Sequence, residues 1–232
     1  MSEQPPLWAD RQQAGLALAE ACADRRGRAA DTLLLALPRG GVAVAAAMAS
    51  QLRLPLATWS VRKIADPAWP ELAIGAVAAH GVVVWRNGGA AAHRAQTALQ
   101  HGWLAAQQQE LERRRRLFGD PDDARLHHRH LIVVDDGIAT GMTVKAALLS
   151  LRSLAPASLT LAVPVVDRSV AVELEALVDQ LVALALVHDL RAVGLWYRHF
   201  EQLGDEQVLE LLAQQPYGLE ARASRSRSEG LR

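Results

Sequence analysis

The sequence predicts an α/β domain with a doubly wound, mainly parallel sheet flanked by helices. One observation is the composition, since 50% of the 232 residues are of hydrophobic type, enough for a packed core. A second is an apolar strand that leads through a glycine-containing loop into a helix and another strand, over residues 32–61. That order is typical of a parallel βαβ unit. A third is the alternation of apolar strands and helices that continues over residues 131–186.

The first half of the chain supplies one βαβ unit and a small hairpin. Its expected elements are a helix (8–26), a buried strand (32–37), an alanine-rich helix (42–53), a strand (55–61), a long loop (62–72) and an antiparallel hairpin (74–79 and 82–85). The loop is expected because residues 62–72 contain two prolines and no clean period. The hairpin turn is expected at His80 and Gly81.

The second half continues the alternation. Its expected elements are a long helix (90–118), a strand (131–136), a helix from about residue 142 to 154, a strand (158–165), a helix (169–178), a strand (180–186), a last strand (192–197) and a last helix (205–214). We expect residues 1–219 to form one domain. The Ser/Arg-rich segment 220–232 is expected to be a disordered tail.

Charge and composition exclude several classes of protein. The 25 basic residues balance the 25 acidic ones, which argues against a protein that coats nucleic acid through bulk positive charge. Cys22 is the single cysteine, so a disulfide framework is excluded. The sequence contains no apolar run of membrane-spanning length and no signal-peptide pattern. We therefore expect a cytoplasmic protein without a membrane or nucleic-acid partner. Only Lys63 and Lys145 among the basic residues are lysines.

The most informative segment is LIVVDDGIATGMTVKAAL, residues 131–148. An apolar strand delivers Asp135 and Asp136 to its carboxyl end, where open parallel sheets bind ligands. A turn follows, and a helix begins near the end of that turn. The free N–H groups at the start of a helix favour the binding of an anion such as phosphate. The turn consists of Gly137, Ile138, Ala139, Thr140, Gly141, Met142 and Thr143.

The residue types narrow the ligand. Two carboxylates beside a phosphate site would repel a simple anion, but they suit a ligand with hydroxyl donors near its phosphate, such as ribose 5-phosphate. Hydrogen bonds to a charged acceptor contribute about 1.5–3 kcal/mol each, enough to select a diol. The alternative is an acidic turn that caps the helix, in which Thr140 and Thr143 bond only the backbone.

This segment resembles the phosphoribosyl-diphosphate (PRPP) signature of the type I phosphoribosyltransferases. The resemblance implies that Asp135 and Asp136 bind the ribose diol and that residues 137–143 bind the 5′-phosphate. It also implies the type I phosphoribosyltransferase fold, with a small hood built from later or terminal segments. Further similarity, from about Trp8 to Leu212, is to a group of bacterial "predicted phosphoribosyltransferase" proteins.

Members of this family carry a pyrophosphate-binding loop after the first core strand, and the chain has LPRGGV (37–42) at that place. The resemblance implies that Arg39 contributes charge and that Gly40 and Gly41 contribute backbone donors. A plain strand-to-helix turn is the alternative. A mobile loop in the family also supplies basic groups to the pyrophosphate. The resemblance implies that Arg62 and Lys63 are those groups. The alternative interpretation of this segment is a solvated surface loop.

The implied reaction transfers ribose 5-phosphate from PRPP to a nitrogenous small molecule with release of pyrophosphate. Mg²⁺ would bind mainly to PRPP oxygens and water, with Asp135 and Asp136 as candidate ligands. Glu71 is a guess for the general base, and the family usually forms homodimers. The alternatives are a regulator that senses PRPP and a hydrolase in which water replaces the acceptor.

Two other groups of residues have structural interpretations. The four arginines at 113–116 could meet phosphate, but they lie at the end of a predicted helix, where cations are favoured in any case, and we interpret them as structural. Trp196, Tyr197 and Phe200 either stack on a planar base or close the core.

Overall fold

The computed structural model describes residues 5–66 and 68–215 and contains two sheets. The strands are β1 (Thr32–Ala36), β2 (Leu56–Thr58), β3 (Val61–Asp66), β4 (Trp69–Ala78), β5 (Val83–Trp85), β6 (His130–Val134), β7 (Ser158–Asp167) and β8 (Gln180–Val187). The helices are α1 (Arg11–Ala21), α2 (Gly40–Leu52), α3 (Gly89–Gln100), α4 (Trp103–Phe118), α5 (Met142–Arg152), α6 (Arg168–Glu175) and α7 (Asp205–Ala213).

The main sheet is parallel throughout, in the order β2-β1-β6-β7-β8. Every residue of β1 is buried because helices cover both faces of the sheet. Leu33 and Leu35 pack into the cluster on one face, whereas Leu34 and Ala36 pack into the cluster on the other. The doubly wound α/β fold is therefore confirmed.

The second sheet is antiparallel, in the order β3-β4-β5, and it corrects the prediction of a long loop over 62–72. β3 and β4 pair with each other, with register shifts on either side of Ala65. Such irregularities remove the clean alternation that would have indicated strands. The predicted turn is confirmed, since His80 and Gly81 both adopt positive φ, at 61° and 70°.

Two other elements differ from their predictions. The helix expected over 90–118 is broken into α3 and α4, because Gly102 adopts a left-handed conformation with φ of 71°. The segment 192–197, expected as a strand, contains a short 3₁₀ helix (Val193–Trp196) instead. Gly194 lies so close to the ring of Phe200 that a Cβ there would come within 2.8 Å of it. The ring thus packs directly against this turn.

A small hood lies at the carboxyl end of the main sheet and joins segments from both ends of the described chain. The Leu7 N–H donates to the Trp196 carbonyl at 3.0 Å, and the Arg198 N–H donates to the Trp8 carbonyl at 2.9 Å. The rings of Trp8 and Tyr197 have centroids 5.6 Å apart. This cluster packs against Val165 near the end of β7.

No helix within residues 5–66 and 68–215 is long and apolar enough to cross a membrane. The predicted tail at 220–232 lies outside the described residues.

Candidate active site

The two loops singled out in the sequence lie in direct contact. β1 and β6 are neighbours in the sheet, with Ala36 paired to Val134, so both loops leave the same edge. A Cβ on Gly40 would overlap the Asp136 carboxylate, and a Cβ on Gly41 would come within 2.6 Å of the Val134 carbonyl oxygen. Only glycine permits this close approach of the two loops. The peptide bond between Pro38 and Arg39 is cis.

Asp136 is held by an arginine from the first helix. Arg11 Nε donates to Asp136 Oδ2 at 2.8 Å, and Arg11 also donates to the Glu201 carbonyl oxygen at 2.9 Å. The Arg11 guanidinium carbon lies 3.8 Å from the ring centroid of Phe200, a cation–π contact. Arg11 is 9% exposed, so this ion pair is largely shielded from solvent.

Two further hydrogen bonds hold the Asp135 carboxylate and the backbone of Asp136. The Asp136 N–H donates to Asp135 Oδ1 at 2.9 Å. The Tyr197 hydroxyl donates to the Asp136 carbonyl oxygen at 2.6 Å, and its ring stacks on Phe200 at 4.9 Å between centroids. Tyr197 is buried, so its contacts favour the interpretation that it closes the core.

The pKa values of this carboxylate pair (Asp135 and Asp136) are raised in the protein without ligand. Burial raises the pKa of Asp135 well above its usual range, and the charge of Asp136 adds to the effect. Burial also raises the pKa of Asp136, although the nearby Arg11 opposes that rise. A ligand that donates hydrogen bonds or brings a cation would offset the cost of two neighbouring negative charges.

The turn between β6 and α5 is anchored on β7. The Ile138 N–H donates to the Val165 carbonyl at 2.9 Å, and the Asp167 N–H donates to the Ile138 carbonyl at 3.0 Å. Gly141 has φ of 69°, and a Cβ there would come within 2.6 Å of Val170. α5 begins at the next residue without a side-chain cap, so its first N–H groups remain available to an anion.

A cavity of about 340 Å³ lies beside this turn. Residues 140–142 line one side, Lys145 projects from the first turn of α5, and Arg86 and Asn87 follow β5. Within the described part of the chain, neither Lys145 nor Arg86 forms an ion pair. Glu173 also lines the cavity, so two cations and one carboxylate leave its lining with a net positive charge.

The structure separates the two basic residues of β3. Neighbouring residues of a strand point to opposite faces. Arg62 packs toward α4, where its Nε donates to Gln107 Oε1 at 3.0 Å, whereas Lys63 is exposed. The structure therefore brings Arg62 toward the predicted pyrophosphate loop and leaves Lys63 on the other face.

Four arginines come together near the start of α2, and we call them the arginine cluster: Arg39, Arg62, Arg113 and Arg114. Burial lowers the pKa of Arg62, and the charges of Arg114, Arg39 and Arg113 lower it further, whereas Glu110 opposes them. Like charges this close together disfavour one another's charged forms.

The site includes residues whose contacts the sequence does not show. Arg113 and Arg114 precede the last turn of α4 and ion-pair with Glu110 of the same helix. Arg11 meets Asp136 across 125 positions of sequence, so no local pattern could have indicated the pair. The side chain of Glu71, the guessed base, lies outside the described residues.

Comparisons of sequence agree with this geometry. The sequence model of the family described as "Phosphoribosyl transferase domain" matches residues 10–185. A protein of Mycobacterium tuberculosis H37Rv, provisionally named a phosphoribosyl transferase, is 37% identical over 207 residues, which cover 89% of this chain and 46% of that protein. The same figures hold for its counterpart in strain CDC 1551. The chain thus spans about half the length of the curated relatives it matches.

Solved structures show the same architecture. The crystal structure of TT1426 from Thermus thermophilus has a TM-score of 0.69 and 35% identity, covering 90% of this chain and 98% of that one. The AQ2163 protein from Aquifex aeolicus has a TM-score of 0.50 and 9% identity, covering 79% and 78%. At that identity, the second likeness shows the fold alone.

Proposed function

The chain belongs to the phosphoribosyl transferase domain family, and from this premise we propose that it transfers ribose 5-phosphate from PRPP to a nitrogenous small molecule. Pyrophosphate is the other product. The observation that carries the proposal is the contact of Gly40 and Gly41 with the carboxylate pair. This contact joins hydroxyl acceptors, an anion-binding turn and guanidinium groups at one edge of the sheet.

The acidic part of the site would bind the ribose. Asp135 and Asp136 would accept hydrogen bonds from the two ring hydroxyls, and Arg11 would keep the second carboxylate ionised. Residues 137–143 would bind the 5′-phosphate through their backbone N–H groups at the start of α5. The positive charges of Lys145 and Arg86 beside the cavity support an anion on this side.

The basic part of the site would bind the diphosphate. Arg39 and Arg62 would contribute charge, and the N–H groups of Gly40 and Gly41 at the start of α2 would contribute hydrogen bonds. Lys63 lies on the opposite face of β3 and is not part of the arginine cluster. We propose that its ammonium group makes a single contact with the diphosphate.

The reaction breaks the bond from C1′ to the diphosphate oxygen, and its electron pair leaves with pyrophosphate. The acceptor nitrogen forms the new bond to C1′ and loses its proton to solvent. The positive charge that develops on the ribose requires positioning and electrostatic stabilisation from the protein, which the fixed carboxylate pair would supply.

Mg²⁺ is proposed as the metal of this reaction. The described residues contain no cluster of three or more His, Cys, Asp or Glu groups arranged to hold a metal ion. Mg²⁺ is usually bound by one or two protein carboxylates together with substrate oxygens and water. The adjacent Asp135 and Asp136 fit that kind of site. Bound in this way, Mg²⁺ would neutralise charge on the diphosphate.

We also propose that the protein acts as a cytoplasmic homodimer on small molecules. The single Cys22 and the zero net charge support a reducing compartment and a partner other than nucleic acid. Light scattering of the purified chain would give a mass near twice 25.1 kDa. A monomer would contradict this assembly.

The central test incubates the purified protein with PRPP, Mg²⁺ and a panel of nitrogenous acceptors, and follows pyrophosphate release. Release that depends on one acceptor supports transfer. Acceptor-independent release would identify a hydrolase and contradict the proposal. Saturable PRPP binding without turnover against the panel would instead favour a regulator that senses PRPP.

A further inference from the structure

The arginine cluster is only partly neutralised by the described part of the protein. Within the described residues, two carboxylates, Glu110 and Asp205, form ion pairs with three of its four guanidinium groups. The fourth, that of Arg62, donates to Gln107 instead. Glu110 lies on the same helix as Arg113 and Arg114 and accepts from them at 2.7–3.0 Å. Asp205 comes from the first turn of α7. The cluster therefore keeps an excess of positive charge at the edge where the donor would bind.

Asp205 lies between two arginines of different elements. Its Oδ2 accepts a hydrogen bond from Arg113 at 2.9 Å, and its Oδ1 lies 3.6 Å from Nη1 of Arg39. That Oδ1 is buried and accepts no hydrogen bond within the described residues. The hydrogen bond from Arg113 lowers the pKa of Asp205, so the carboxylate stays ionised at neutral pH. A negative group thus occupies the space between Arg39 and Arg113.

Arg113 is more accessible to a ligand than its neighbour. Both arginines donate to Glu110, but the side chain of Arg113 is 50% exposed, whereas that of Arg114 is 12% exposed. Arg113 also faces Arg39, the arginine that the proposed function assigns to the diphosphate. A phosphate group between these two guanidiniums would receive the charge-assisted hydrogen bonds that Asp205 now accepts only in part.

We infer that Arg113 is a further binding residue for the diphosphate of the donor, and that Asp205 is an internal competitor which the diphosphate displaces. The inference rests on the proposed function, because it takes the donor to bind beside Arg39. A diphosphate carries more charge and more acceptor oxygens than one carboxylate, so it wins the exchange. The exchange lowers the affinity for the donor and couples its binding to the start of α7.

The test measures the binding of inorganic pyrophosphate with Mg²⁺, and of PRPP with Mg²⁺, by calorimetry on the full chain. Arg113→Gln should weaken both by about tenfold, the value of one lost charge-assisted hydrogen bond. Asp205→Asn should strengthen both by about threefold to tenfold, because the competitor loses its charge. The two variants therefore move affinity in opposite directions.

Each matched control lies on the same helix as the residue it is compared with and undergoes the same change of charge. Arg116→Gln removes an exposed arginine from α4, and Glu206→Gln removes an exposed acid from the first turn of α7. Both should leave the affinities unchanged. Asp205→Ser is a second variant for the acidic position, and thermal unfolding verifies that each protein is folded.

The outcomes separate the inference from the function. If Arg113 and Asp205 form only a structural ion pair, both variants weaken binding alike or leave it unchanged, and either result overturns the inference. If wild-type protein binds neither probe, the proposed function fails as well. Opposite shifts in the two variants, with silent controls, support the exchange.

Discussion

The carboxylate pair and the arginine cluster lie on either side of Gly40, but their construction differs. The carboxylates are adjacent in sequence and enclosed by Arg11, Tyr197 and the glycine loop. The arginines come from the loop after β1, from β3 and from α4, and are partly exposed. The carboxylate pair is a short sequence motif with other residues packed around it. The arginine cluster forms only when folding brings separate elements together.

This difference has a functional consequence. The carboxylate pair is held by hydrogen bonds that do not depend on a ligand, so it is organised before the donor arrives. The arginine cluster is held by ion pairs with Glu110 and Asp205, which a stronger anion can exchange. The ribose end of the site should therefore be rigid, and the diphosphate end should rearrange.

The largest effect is expected at the carboxylate pair. Replacing Asp135 and Asp136 together with Asn should weaken PRPP binding at least about a hundredfold, because two charge-assisted hydrogen bonds are lost. The folded state should also lose stability, because the substitution removes the carboxylate that pairs with the largely buried Arg11. Calorimetry and thermal unfolding measure the two quantities. Unchanged PRPP affinity would refute the assignment of the site.

The contact that joins the two regions should be nearly as sensitive. Gly40→Ala places a methyl group on the Asp136 carboxylate, and overpacking of this kind costs about 1–3 kcal/mol. We expect lower stability in urea together with loss of PRPP binding. Gln51→Ala is the control, because Gln51 is exposed near the other end of the same helix. Equal behaviour of the two variants would show that the close approach of the loops is unimportant.

The ion pair to the first helix should set the pH range of binding. Arg11 opposes the rise in the pKa of Asp136, so Arg11→Gln should raise that pKa further. Binding requires the ionised carboxylate and is lost as pH falls through this pKa, so the variant should lose affinity at a higher pH than wild type. At neutral pH we expect PRPP binding about tenfold weaker.

The measurement for Arg11 is a series of PRPP titrations from acidic to alkaline pH, in which ionisation of PRPP itself affects both proteins equally. Arg26→Gln is the control, because its ion pair with Glu20 is exposed and remote from the carboxylate pair. Identical pH profiles for wild type and Arg11→Gln would contradict the role of Arg11.

The smallest effect is expected at Lys63, which is exposed and lies outside the arginine cluster. Lys63→Arg should lower kcat about threefold, because a guanidinium fork does not reproduce the point contact of an ammonium. The control is Arg94→Lys, the reverse substitution at an exposed residue of α3, and it should leave kcat unchanged. Wild-type rates in the Lys63 variant would remove this residue from the reaction.

Local patterns predicted the parts of the molecule whose partners are near in sequence or forced by the sheet. The apolar runs of β1 and β6 indicated buried parallel strands, and the acids that follow β6 indicated a site at their carboxyl ends. The pattern failed over 62–72 and 192–197, where bulges and a packed phenylalanine decide the backbone. Irregular local geometry leaves no period to read.

The sequence by itself determined the fold class, the family, the acidic strand end and the glycine-rich loop, because each depends on residues close together in the chain. Only the tertiary structure decided that Arg11 holds Asp136, that Arg113 faces Arg39 and that Asp205 lies between those two arginines. These contacts join residues that are far apart in sequence. They form because packing of the helices against the sheet brings oppositely charged side chains together at one edge.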